Sequence, residues 1–105
     1  MHIEFDKEYL QELFERGTTR DKKHRYQVDV IRRYHKCVMF LRQAKNTEAL
    51  YPIHSLNYEV LKGDKTGISS VRINRQYRLE FTVREVMGEP VITVCRLLDI
   101  SNHYK

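Results

Sequence analysis

Ser69-Ser70-Val71-Arg72-Ile73-Asn74-Arg75-Gln76-Tyr77-Arg78-Leu79-Glu80-Phe81-Thr82-Val83-Arg84 is the stretch on which the fold turns. Its apolar residues Val71, Ile73, Tyr77, Leu79, Phe81 and Val83 carry odd numbers, and its polar residues Arg72, Arg78, Glu80, Thr82 and Arg84 carry even ones. Alternation with period two marks strands that have one buried face and one wet face. Two such arms bury their odd residues against a common layer only when the hairpin pairs residues of equal parity. A loop of Asn74, Arg75 and Gln76 meets that condition and predicts Val71 opposite Leu79 and Arg72 opposite Arg78. Guanidinium groups facing each other across a strand pair repel. Three arrangements relieve this: an anion held between them, side chains splayed into solvent, or neutralisation of one of them by Glu80.

Immediately upstream, Leu61-Lys62-Gly63-Asp64-Lys65-Thr66-Gly67 reads as a glycine-punctuated turn between strands at about 58–62 and 68–74. Carrying the same parity across it pairs Lys62 with Ile68 and brings Lys62 to the wet side with Ser70 and Arg72. Further strands are predicted at about 77–84 and 91–98, with Val86-Met87-Gly88-Glu89-Pro90 as the turn between them. Near the N-terminus, Ile3 and Phe5 alternate with polar residues as a short strand. Tyr9, Leu10, Leu13 and Phe14 then recur at helical spacing until Gly17. A second, longer helix carries the stripe Val28, Ile31, Tyr34, Val38 and Leu41. Its other side bears Arg25, Asp29, Arg32, Arg33 and Lys36, a solvated face or one turned towards RNA. The predicted class is α+β: two N-terminal helices packed on one face of a curled, mainly antiparallel sheet of four to five strands.

The 105 residues, 41% hydrophobic and 31% charged, suit one domain spanning 1–105 with a modest core. Nineteen bases against 14 acids give a formal charge of +5, which favours an anionic partner such as nucleic acid. No apolar run reaches the roughly 18 residues of a membrane span, and the first residues lack the layout of a signal peptide. The expected location is therefore the cytoplasm, with no membrane partner. Cys37 and Cys95 stand far apart in apolar settings and read as core thiols. The five histidines, His2, His24, His35, His54 and His103, are scattered, so neither a metal nor another cofactor is expected.

RNA cleavage needs no metal. The 2′-hydroxyl attacks the neighbouring phosphorus if a base takes its proton, cations stabilise the added charge and an acid protonates the leaving 5′-oxygen. Arginine and lysine meet the charge requirement, and histidine can serve either proton transfer. His103 is the histidine near the end of the last strand, with Asp99 four residues before it. The tail from Asp99 to Lys105 reads as an extended end or one helical turn, and in a helical turn those two side chains would share a side.

The block from Leu61 to Phe81, a lysine-glycine-aspartate turn followed by a strand pair ending in aromatic-Arg-hydrophobic-X-Phe, resembles the HigB-type killer proteins of the RelE/ParE toxin superfamily. The resemblance extends from the first helix to the tail. It implies a RelE-like domain, cleavage of mRNA on the translating ribosome, and a cognate helix-turn-helix antitoxin of the HigA kind. Residue by residue, it implies working roles for the turn lysine, Lys62, the strand arginine, Arg78, and the terminal pair Asp99 and His103. Lys65 and Arg72 would add phosphate contacts. Ile100 stands where that pattern expects an aromatic, and His103 falls two positions late, with Tyr104 as a possible replacement ring. ParE-type relatives share the fold yet act on DNA gyrase without cutting RNA, so a non-nucleolytic toxin is the competing reading, and a plain RNA-binding module is a third.

Overall fold

In the computed structural model, which describes residues 1–102, the chain runs β1 (His2–Phe5), α1 (Glu8–Arg16), α2 (Val28–Gln43), β2 (Glu59–Val60), β3 (Ser69–Arg72), β4 (Tyr77–Val86) and β5 (Ile92–Asn102). Short 3₁₀ turns fill the connections, among them Lys22–His24, His54–Leu56 and Gly63–Lys65. The sheet order is β1-β5-β4-β3-β2. Every neighbouring pair is antiparallel except β1 and β5, which run parallel from His2 beside Val94 to Phe5 beside Leu97. The predicted α+β architecture is the one found.

Both helices form where apolar spacing and punctuation agree. Helix α1 stops because Gly17 takes a left-handed φ of 72° and returns its N–H to the Leu13 carbonyl at 3.1 Å, a conformation that costs a residue with a Cβ about 1 kcal/mol or more. Tyr9, Leu10 and Leu13 of α1 and Val30, Tyr34, Cys37, Val38 and Leu41 of α2 pack against Val71, Leu79, Phe81, Cys95, Leu97 and Ile100 of the sheet. The buried stripe of α2 is thus rotated from the predicted one. Val28 is 70% exposed, because the first turn of the helix starts at Val28 itself and the sheet-facing positions begin at Val30. The Tyr34 hydroxyl donates to the Leu10 carbonyl at 2.7 Å and ties the two helices together.

The central hairpin has the predicted register, with Val71 opposite Leu79 and Arg72 opposite Arg78. Asn74 closes its loop by accepting from the N–H groups of Gln76 and Tyr77 at 2.9 and 2.7 Å, the usual way asparagine stabilises a turn. The preceding turn departs from expectation. Val60 pairs with Ser69, and the Leu61 N–H reaches the Ile68 carbonyl at 2.9 Å, so Leu61 rather than Lys62 stands across from Ile68. The loop is one residue longer than parity suggested. It contains a helical turn in which Thr66 N–H and Thr66 Oγ1 both donate to the Gly63 carbonyl, flanked by left-handed glycines at Gly63 and Gly67.

Candidate functional site

The ladders β2-β3-β4-β5 set side chains of the even face in two cross-sheet rows. One row is Ser101, Arg78 and Arg72; the next is Asp99, Glu80, Ser70 and Glu59. Residues directly opposite in a ladder point to the same side, so a row of cations lies beside a row holding three carboxylates.

Asp99 reaches this face through a defect in the pairing. Glu80 pairs with Asp99 but Phe81 pairs with Leu97, which leaves Leu98 as an extra residue on β5. A bulge of this kind reverses which parity faces the core. Leu97 and Ile100 are consequently both buried against the helices, and Asp99 turns to the side of Arg78 and Glu80. The tail continues as strand to Asn102, settling the choice between extended end and helical turn for those residues. His103 lies outside the described residues.

The even face is less open than the alternation predicted. Ser70, Arg78 and Glu80 are buried, with Arg78 only 4% exposed. Arg78 Nε donates to Ser70 Oγ at 2.8 Å, and its Nη2 donates to the carbonyls of Asn57 at 2.5 Å and Ser70 at 3.3 Å. Glu59 stands 3.8 Å from the same Nη2. Burial draws the Arg78 pKa down from its ordinary value, and the Glu59 carboxylate opposes the shift. Nη1 makes no hydrogen bond among the described residues, where no buried side-chain nitrogen or oxygen lacks a partner. Nη1 is therefore the corner of the guanidinium that solvent, or a phosphate oxygen, can reach. Lys65 folds onto Glu80 with Nζ 2.6 Å from Oε2, so Glu80 neutralises a lysine of the turn rather than an arginine of the hairpin.

Arg72 and Lys62 are exposed. With the longer loop, Lys62 stands in the turn and Glu59 occupies the ladder position beside Ser70. Glu59 is the residue the sequence reading missed. Its signal was the odd-even register of a two-residue strand, which a one-residue change of loop length inverts.

Asp99 is anchored from the helix side. It accepts from the Tyr9 hydroxyl and lies 3.1 Å from Lys7 Nζ, while the Ile100 N–H donates to Tyr9 Oη at 2.8 Å. Burial, reinforced by the Asp99 carboxylate, pushes the Tyr9 phenol far above its ordinary range and keeps it a donor. The Tyr9 ring stacks on His24 at 3.6 Å, and His24 Nδ1 lies 2.9 Å from Asp21. Among the described residues no group of three His, Cys, Asp or Glu side chains could hold a metal ion, and no helix is long and apolar enough to cross a membrane.

Residues 3–92 match a model of the HigB-like toxins, described as RelE-like toxins of the type II toxin-antitoxin system HigB. Two solved structures share the fold. A YoeB/ParE toxin from Agrobacterium tumefaciens is 15% identical with a TM-score of 0.56, over 99% of this chain and 100% of that one. A YoeB dimer from Staphylococcus aureus is 18% identical with a TM-score of 0.53, over 99% and 98%. No curated protein matches the chain.

Proposed function

The chain belongs to the HigB-like family of RelE-type toxins of type II toxin-antitoxin systems, and from this we propose that it is an endoribonuclease that cuts mRNA on the translating ribosome by metal-independent attack of a 2′-hydroxyl. One observation carries this reading: the register that sets Arg72 opposite Arg78 with the carboxylate row alongside. A fixed cation beside proton-accepting groups is what in-line transesterification requires.

In the proposed reaction the scissile phosphate lies on the even face. Arg78, oriented by Ser70 and Asn57, offers Nη1 to a non-bridging oxygen, and its partial desolvation strengthens that contact. Lys62 closes over the phosphate from the turn, with Arg72 and Lys65 holding the neighbouring phosphates. The 2′-oxygen bonds to phosphorus as its proton passes to a base, and the P–O5′ bond breaks as the 5′-oxygen takes a proton from an acid. Glu59, beside Arg78, has the chemistry and the place for the base, and His103 is the proposed acid. Asp99, tied to Tyr9 and Lys7, positions the strand end that leads to His103. The partners in this reading are mRNA, the ribosome and a HigA-like antitoxin that restrains the toxin.

Purified protein added to ribosomes translating a defined mRNA tests the proposal. Cleavage should leave a 2′,3′-cyclic phosphate end, and Lys62→Ala, Arg78→Lys and His103→Ala should each lower the rate at least tenfold. DNA damage on induction with intact mRNA would instead identify a gyrase-directed toxin. Salt-sensitive RNA binding without a cyclic-phosphate product would leave only a binding module.

A further inference from the structure

A second basic surface lies on the α2 side of the sheet, at the end of β3. Asp29, Arg32, Arg33, Lys36 and Phe40 of α2, Ser55 and Leu56 of the 3₁₀ turn, and Arg72 at the end of β3 enclose a groove of about 430 Å³. Four of these residues are cationic and one is acidic, and that acid already pairs with Arg33 at 3.4 Å. The floor is apolar, formed by the buried Cys37, Leu56 and Ile73. Lys36 Nζ lies 5.9 Å from the centre of the Phe40 ring, on the wall of the groove.

We propose that this groove is the docking site for an acidic, amphipathic segment of the antitoxin. The partner's existence follows from the type II family; its place on the toxin follows from the groove. Uncompensated cations at the rim call for carboxylates, which arginine binds in a bidentate fork. A nucleic-acid backbone would satisfy the rim but would leave the apolar floor without a partner. A peptide that carries leucine-like anchors between its acids fills both, in the manner of an amphipathic segment laid in a groove. Arg72 belongs to the wall of this groove and also to the cation row of the proposed RNA face. Carboxylates seated here would therefore draw Arg72 away from RNA, a route to neutralisation that rests on the nuclease reading, whereas the docking itself does not.

The test titrates full-length toxin with its purified cognate antitoxin and, separately, with ribosome-bound mRNA. Arg33→Glu with Lys36→Glu should weaken antitoxin binding at least tenfold and leave mRNA cleavage within about twofold. In the wild-type complex, amide exchange should slow across 29–40 and 53–57 as antitoxin is added, a measurement that does not depend on how the variant folds. Unchanged antitoxin affinity and unchanged exchange would overturn the proposal. Loss of mRNA binding with antitoxin affinity intact would overturn it in favour of an RNA track. Because antitoxin binding is read without any cleavage step, a protein that fails to cut RNA can still support or refute the docking.

Discussion

Ser70 shows how one small side chain decides the state of a charged one. It is 1% exposed, and both its hydroxyl and its carbonyl accept from Arg78. Removing the hydroxyl strands a buried guanidinium N–H, a change that costs about 1–3 kcal/mol. Ser70→Ala is expected to lower the urea midpoint accordingly and to reduce RNA cleavage, because Arg78 Nη1 loses its bearing. Wild-type stability in Ser70→Ala would show that water replaces the hydroxyl without penalty. Tyr9 plays the corresponding part at the other end of the face, where its hydroxyl serves Asp99 and the Ile100 N–H together. Tyr9→Phe should release the β5 terminus, and faster amide exchange at Ile100 would report it.

Among the elements, the bulge in β5 changes by one residue which parity faces the core. Deleting Leu98 joins Leu97 directly to Asp99, so the pairs Phe81–Leu97 and Glu80–Asp99 become consecutive and the same side chains stay inward; what is lost is the local kink of the bulge. The expected result is a chain that keeps a sharp thermal transition but exchanges the Ile100 amide faster, because the kink that brings it to Tyr9 Oη is gone; unchanged exchange at Ile100 would mean that the bulge does not set that contact. Gly17→Ala is a milder probe. No atom lies within 4 Å of an added Cβ, so only the left-handed backbone resists it, and about 1 kcal/mol of destabilisation is expected in chemical denaturation. These two elements also show how far the sequence could be read. Gly17 and the strict alternation from Val71 to Val83 carried local, unambiguous signals, and the helix end and hairpin register followed from them. The bulge at Leu98 and the six-residue loop after Leu61 are choices between neighbouring registers, and in both places the deciding energy comes from contacts far away in sequence. The partial burial of the even face was illegible for the same reason, since the cover comes from Asn57, Glu59 and Lys65. The candidate residues were therefore found one by one, while their geometry was not.

For the molecule as a whole, alkaline pH acts first through two buried thiols, ahead of the tyrosines Tyr9, Tyr26 and Tyr34 that burial also holds protonated. Burial pushes Cys37 and Cys95 each up to about 12 from an ordinary value of 9.0. In the unfolded chain these thiols ionise first, so the folded state holds more protons above pH 9 and stability falls as pH rises. The contribution is fully present below the unfolded pKa and is lost progressively towards pH 12, at up to about 1.4 kcal/mol per pH unit for each thiol. Urea unfolding should weaken between pH 8 and pH 10.5, and replacing both cysteines by alanine should flatten that slope; a slope unchanged by the replacement would place its origin elsewhere. The parallel pairing of β1 with β5 acts at the same scale and in another dimension, that of time. A polypeptide made from its amino end produces His2–Phe5 early, but the strand that must lie beside it follows only after some ninety further residues. Until then β1 has no strand beside it, although Phe5 already meets Phe14 of α1 and β2, β3 and β4 already pair with one another. A nascent chain halted anywhere before Ile92 therefore lacks the one strand that joins β1 to the rest of the sheet.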